Sequence, residues 1–275
     1  MPYVKKNAEN SSSVNIFFED LGTGKPVVLI HGWPVSHEMW EYQVNALVNA
    51  GYRCIAYDRR GFGQSDRPWH SYDYDTLAAD LYEVITALDL NDVTLVGFSM
   101  GGGEVVRYLG KYGSSRVTKA VLISSVVPLL LKTEDHEDGV PREVFDGMIA
   151  GLQNDRPAFL AEFGRQFISV DEHNKPVSQE IQNWTHQLAI VASPRATTEC
   201  VRSFSETNFR TDLSVITIPV LIIHGNDDKI VPINITSDIT SSLLPNSEYH
   251  VIEGASHGVF LTHKDEINKM LLNFL

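Results

Sequence analysis

Ser99 stands in Val93-Thr-Leu-Val-Gly-Phe-Ser-Met-Gly-Gly-Gly103, a G-x-S-x-G pattern in which Gly97 and Gly101 flank the serine two residues away on either side. An apolar run leads in and a helical pattern leads out. In that setting a sharp strand-to-helix turn exposes the serine Oγ. The turn strains the serine backbone, and glycines are expected at 97 and 101 because a Cβ at either position would collide across the turn. Gly102 and Gly103 let the following helix pack closely. At a helix N-terminus the backbone amides and the helix dipole favour negative charge, which suits a hydroxyl that attacks a carbonyl and leaves an oxyanion. The bland alternative is a glycine-rich helix start with a capping serine. Neither G-x-G-x-x-G nor a P-loop pattern is present, and Gly61-Phe-Gly63 reads as a structural turn.

A serine nucleophile needs a base, and the base needs an orienting acid. After an apolar run at 220–224 comes His224-Gly-Asn-Asp-Asp-Lys-Ile-Val-Pro232. It supplies Asp228 as the acid, with Asp227 as the fallback. Further on, Glu253-Gly-Ala-Ser-His257-Gly places a histidine among small residues, with room to reach a neighbour. His250 and His263 fall within a strand and a helix and are weaker candidates. The order Ser99, Asp228, His257 suits a hydroxyl activated by Nε2 and an imidazole held through Nδ1. An oxyanion needs two preorganised N–H donors: the residue after the serine, Met100, and the loop His31-Gly-Trp-Pro34, where Trp33 is the candidate. Pro34 biases Trp33 towards an extended conformation and fixes a loop carbonyl where a peroxide could donate a hydrogen bond. His31 itself reads as a loop-holding residue.

These residues must be positioned by a sheet. Short β-branched runs at 14–19, 27–31, 53–58, 93–97, 120–124, 220–224 and 249–252 alternate with helical patterns near 38–49, 74–89, 101–112, 233–243 and 262–274. Continuous apolar runs such as 27–30 and 220–223 suit parallel strands covered on both faces. The expectation is a doubly wound, mostly parallel α/β sheet. From Pro128 to Phe209 the strand signal disappears. Helical patterns there are broken at Pro141, Pro157, Pro176 and Pro194 and are rich in Phe, Met and Leu. The expected organisation is a core of 1–127 and 210–275 with a helical cap insert of 128–209 over the carboxyl ends of the strands.

The formal net charge of −13 and the lack of any Lys/Arg cluster argue against nucleic acid and anionic membranes as partners. The longest apolar stretch, Val121 to Leu131, is broken by Ser124, Ser125 and Pro128 and is too short to span a bilayer. Cys54 and Cys200 stand far apart and read as free buried thiols. The first residues are polar, without the apolar core of a signal peptide, so a cytoplasmic location is expected. The ten histidines show no metal-ligand spacing.

The strings HGWP, MWEYQ, GYR.IAYDRRGFGQSD, TLVGFSMGGGEV, IHG..D.IVP and GASHGVFLTH together resemble the bacterial cofactor-free haloperoxidase and aryl-esterase group of the α/β-hydrolase fold. The likeness runs from about Phe17 to Phe274 and is weakest in the insert. It implies ester hydrolysis through an acyl-serine without a cofactor. It also implies a perhydrolase side reaction, in which hydrogen peroxide replaces water and gives a peracid that oxidises halide. The resemblance carries Ser99, Asp228 and His257 over as a triad, and Trp33 and Met100 as oxyanion donors. It carries Met148, Phe163 and Phe167 over as acyl-pocket residues, and it implies a homo-oligomer of three or more chains. Asn226 departs from the Asp common in such proteins and leaves the acid in place. Haloalkane dehalogenases and epoxide hydrolases share the scaffold but use an Asp nucleophile, which Ser99 argues against. Two rival readings are peracid formation as the main activity and a non-catalytic ligand receptor on the same fold.

Overall fold

The structure, a computed structural model, describes residues 2–5, 14–169 and 176–275. In chain order the elements are β1 (Tyr3–Lys5), β2 (Asn15–Gly22), β3 (Pro26–Ile30), α1 (Glu41–Asn49), β4 (Arg53–Tyr57), α2 (Tyr74–Ala87), β5 (Val93–Phe98), α3 (Met100–Tyr112) and β6 (Val117–Ile123). Then come α4 (Arg142–Phe167), α5 (Gln179–Val191), α6 (Pro194–Glu206), α7 (Arg210–Leu213), β7 (Val220–Gly225), α8 (Ser237–Leu243), β8 (Ser247–Ile252), α9 (Val259–Thr262) and α10 (Lys264–Phe274).

The eight strands form one sheet in the order β1-β2-β4-β3-β5-β6-β7-β8. β1 and β2 pair antiparallel, as do β2 and β4, and every later pairing is parallel. β5 lies between β3 and β6, and all of its residues are buried. That is what continuous Val, Leu and Phe content produces when helices cover both faces. α1 packs with α10, and α2 packs with α3. From β3 the chain steps outward to β4, then returns past β3 to β5 and continues to the other side. Helices therefore leave the carboxyl ends of β3 and β5 in opposite directions, and a crevice opens between those ends.

The seven strand readings are each present, shifted by up to three residues at their ends. β1 carries no readable signal, because three residues cannot display a period; its register, Tyr3 opposite Phe17, extends the sheet by one short antiparallel strand. The reading of one helix over 262–274 is corrected. The chain forms α9, breaks at His263 and restarts as α10. Between β6 and β7 the prolines act as expected. Pro141 precedes α4, and Pro194 opens α6 behind a Ser193 cap. Pro157 kinks α4, where Asp155 leaves helical geometry and accepts the Ala158 N–H at 3.0 Å to restart the helix. Residues 170–175 of the expected insert and the polar stretch 6–13 lie outside the described residues. Among the described residues no helix is long and apolar enough to cross a membrane.

The loop after β4 pins three successive charges to three different elements. Asp58 accepts from the backbone and ring of His37, both at 2.8 Å. Arg60 reaches Asp80 on α2 through Nε at 2.5 Å and a second guanidinium nitrogen at 2.7 Å. Arg59, fully buried, donates to Glu104 of α3 at 2.5 Å and to the carbonyl of His31 at 2.6 Å. Tyr57 donates to the other Glu104 oxygen at 2.7 Å. Glu104 is therefore the counter-charge that lets a guanidinium sit beneath the loop after β3. Removing one partner from such a pair leaves an uncompensated buried charge, which costs about 3–5 kcal/mol. Glu104→Ala is expected to lose that much stability, read as a lowered urea midpoint at unchanged slope. A loss within about 0.5 kcal/mol, the range of ordinary surface changes, contradicts this.

Candidate active site

Ser99 sits at φ 53° and ψ −118°, a conformation that non-glycine residues avoid. Such a residue costs about 1–3 kcal/mol and persists only where its surroundings over-determine it. Here they do. The Ser99 N–H donates to the Ile123 carbonyl of β6 at 2.9 Å, and its own carbonyl accepts from Gly102 N–H at 3.0 Å. A Cβ on Gly97 would lie 2.5 Å from the Gly101 carbonyl oxygen, a collision across the turn as expected. For Gly101 the expected obstacle is corrected. Its Cβ would strike the Ile30 carbonyl oxygen at 2.4 Å, so that glycine admits the end of β3 rather than the other side of the turn. Gly102 and Gly103 clear Ser125 and the ring of Tyr74, so α3 seats tightly on its neighbours.

Three residues far apart in sequence meet at the carboxyl ends of the strands. Ser99 Oγ–H donates to His257 Nε2 at 2.9 Å, and His257 Nδ1–H donates to Asp228 Oδ2 at 2.6 Å. The other oxygen, Oδ1, accepts the N–H groups of Ile230 and Val231 at 2.9 and 2.8 Å. The Asp228 side chain has no solvent exposure. Burial alone would raise its pKa, but the adjacent His257, with hydrogen bonds from His224 and His257, holds it well below the usual carboxylate range. Asp227 faces outward and pairs with the exposed Lys229 at 3.4 Å, so the fallback acid is not the one beside His257. The rings of Phe98 and Phe167 flank the His257 imidazole, with centroids 4.9 and 4.8 Å away.

The loops after β7 and β8 are stitched together. Asn226 donates to Glu253 at 2.5 Å and accepts the Gly254 N–H at 2.7 Å. An aspartate in its place would set two carboxylates against each other. Gly225 packs on the Ala255 carbonyl so closely that a Cβ would lie 2.2 Å from the oxygen. These contacts fix the spacing between Asp228 and His257.

Trp33 follows β3 by three residues, and its peptide to Pro34 is cis. Its indole N–H donates to the Thr197 carbonyl of α6 at 3.0 Å, and its ring packs edge-on against Phe163 and Phe204. Met100 opens α3, so its N–H is one of the free amides at a helix start. His31 is occupied at both ring nitrogens. Nδ1–H donates to the Gly32 carbonyl at 2.8 Å and Nε2 accepts the Arg59 N–H at 2.9 Å. Burial, with Arg59 beside it, lowers its pKa to about 3, so it stays neutral and holds the loop.

A cavity of about 230 Å³ opens over Ser99, His257 and Trp33. Of the three residues carried over as acyl-pocket residues, Met148 and Phe163 line it. Phe167 does not. One helical turn beyond Phe163, it is buried edge-on against His257 and supports the imidazole instead. Reasoning from sequence missed Phe145, Phe159 and Phe204 as walls, and Glu162 and Lys229 at the rim, where both are exposed and ion-paired. Their helices were legible, but which face of each meets the cavity depends on the kink at Pro157. His224 was also missed as a partner of Asp228, although the H-x-x-x-D spacing was visible. Among the described residues no group of three His, Cys, Asp or Glu side chains could hold a metal ion.

Residues 25–264 match the alpha/beta hydrolase fold family. The chain belongs to that family. Within it, the chain falls in the haloperoxidase and esterase group of α/β-hydrolases. The crystal structure of a bromoperoxidase from Bacillus anthracis superposes with a TM-score of 0.95 at 47% identity, covering 99% of this chain and 98% of that one. A non-heme chloroperoxidase of Kitasatospora aureofaciens is 43% identical over 264 residues, 95% of this chain and 96% of its own length. A bifunctional esterase/perhydrolase of Acinetobacter calcoaceticus is 37% identical over 266 residues, 95% of this chain and 97% of its own length. This α/β-hydrolase thus has both peroxidase-named and esterase-named relatives over 95% or more of its length.

The depressed pKa of Asp228 sets a sign. A carboxylate more acidic in the folded than in the unfolded chain adds stability above the unfolded value, near 4, and that stability is lost as pH falls through the folded value. The stability gap between wild type and Asp228→Asn should therefore narrow as pH drops below about 4, read from urea midpoints. A gap that stays constant down to pH about 3 contradicts this assignment.

Proposed function

We propose that this α/β-hydrolase cleaves small, neutral carboxylic esters with aryl or short acyl groups through an acyl-serine intermediate. Carrying that reading is the unbroken run of hydrogen bonds from Ser99 Oγ through His257 to a buried Asp228, opening into an apolar cavity of about 230 Å³. Metal and cofactor have no part in it. His257 Nε2 takes the proton as Ser99 Oγ attacks the ester carbonyl carbon. The N–H groups of Trp33 and Met100 bear the oxyanion, a contribution worth about a hundred- to a thousandfold per donor. The imidazolium, stabilised by Asp228, returns its proton to the departing alkoxide. Water then attacks the acyl carbon, again through His257, and frees the acid and Ser99.

In the same reading residues 128–209 form a cap that supplies the apolar walls, including Met148 and Phe163, with Phe167 behind His257. Charges confined to the rim, at Glu162 and Lys229, favour a neutral substrate. Hydrogen peroxide in place of water would transfer the acyl group to a peroxide oxygen and release a peracid, which oxidises halide. The bifunctional esterase/perhydrolase relative supports that second reaction. The proposal extends to a cytoplasmic homo-oligomer of three or more chains.

Ser99→Ala should hydrolyse p-nitrophenyl acetate about a million-fold more slowly than wild type in kcat, because members of such a triad act as a unit. Activity retained within tenfold removes Ser99 from the chemistry. An ester panel of increasing acyl length, run with and without peroxide, should show acetyl to butyryl esters preferred and peracid formed only from esters that are also hydrolysed. Peracid formation without hydrolysis would make peroxide chemistry the main activity.

A further inference from the structure

The Asp228 carboxylate receives a fourth donor that the proposed reaction does not require. His224, near the end of β7 and fully buried, places Nε2 3.1 Å from Asp228 Oδ2 and 2.9 Å from the Val231 carbonyl oxygen. Both of those groups only accept, so Nε2 carries a hydrogen. Nδ1 lies 2.6 Å from the Ser237 Oγ at the start of α8 and accepts its hydroxyl hydrogen. A chain of five side chains therefore runs Ser237, His224, Asp228, His257, Ser99, with two imidazoles donating to the same carboxylate oxygen.

We infer that His224 is a positioning residue that shares the charge of Asp228 between two rings and so sets how strongly His257 holds a proton. The inference rests on the hydrolytic reading of the site. Each hydrogen bond to a carboxylate favours its charged form and lowers its pull on any one partner. With a single imidazole, Oδ2 would concentrate that pull on His257 Nδ1–H and favour the imidazolium, which cannot accept the Ser99 proton. The second imidazole weakens that pull. It also fixes Asp228 in rotation, because turning the carboxylate would break the His224 bond together with the two amide bonds to Oδ1.

Among the described residues, no other charged side chain facing the pair is placed for this task. Lys229 and Asp227, next to Asp228, pair with each other at the surface. Glu162, across the cavity on α4, is bonded by Arg165 and Gln166. Glu253, on the loop before His257, is held by Asn226. The remaining neighbours of the His257 ring from β5 and α4 are the phenyl groups of Phe98 and Phe167. Asp228 is also held more acidic than usual in part through the His224 bond.

The test follows the His257 imidazole by NMR titration in histidine-labelled protein. It is paired with the acid limb of kcat/KM for a p-nitrophenyl ester, in wild type, His224→Leu, His224→Gln and Ser237→Ala. Leucine removes the donor, whereas the glutamine amide can donate from near the Nε2 position. The His257 midpoint should rise by about one pH unit in His224→Leu, a tenfold change in proton affinity. It should return close to wild type in His224→Gln and rise by less in Ser237→Ala. The acid limb should follow, with KM unchanged. A wild-type midpoint in folded His224→Leu, or one that His224→Gln fails to restore, overturns the inference. If the leucine variant does not fold, an unchanged midpoint in Ser237→Ala overturns it instead. The titration needs no turnover, so a chain inactive on every ester would sink the hydrolytic reading while this coupling is still measured.

Discussion

A carboxylate with no solvent contact and, among the described residues, no lysine or arginine bonded to it is the constraint around which the site is organised. Asp228 is compensated by two backbone amides and two imidazoles. That arrangement dictates the tight turn after β7, the approach of the loop after β8 and the orientation of His257. Losing donors would leave a charge whose burial is far more expensive than any single hydrogen bond is favourable. The strained Ser99 turn is the complementary constraint. It is held by β3 beneath Gly101 and by β6 behind its amide, so the two reacting ends of the hydrogen-bond chain rest on different strands of one sheet.

The helices between β6 and β7 do more than cover the crevice. The Trp33 indole is tied to a carbonyl of α6, and its ring is packed between Phe163 and Phe204. The Phe167 carbonyl at the end of α4 accepts the N–H of Gly258, directly after His257, at 2.8 Å. The same segment that shapes the cavity thus touches both the proposed oxyanion loop and the proposed base. In the proposed reaction, a displacement of these helices would alter substrate fit and the geometry of the proposed catalytic residues together.

The core strands were legible because parallel strands buried on both faces demand unbroken runs of Val, Ile and Leu, as at 27–30 and 220–223. The meeting of Ser99, Asp228 and His257 was legible because glycines mark the turn at Ser99, small residues surround His257, and Asp228 follows an apolar run and leads into Ile-Val-Pro. The fate of Phe167 was not. Residues 163 and 167 share a helix face, and only the packing of α4 on the sheet decides that one borders the cavity and the other the imidazole. His224 was overlooked for a similar reason. A histidine at a strand end reads as structural until its ring nitrogens are assigned partners, and those partners come from the turn and from α8. β1 escaped because its pairing is set by the partner strand and not by its own three residues.

Covalent acylation of the Ser99 hydroxyl can be caught by rapid acid quench during turnover of p-nitrophenyl acetate, followed by mass spectrometry of the digested chain. An acyl-serine intermediate places one acetyl group on the peptide containing Ser99, appearing with the first burst of nitrophenol and decaying at the steady-state rate. Turnover at full rate with that peptide unmodified at every quench time would contradict it.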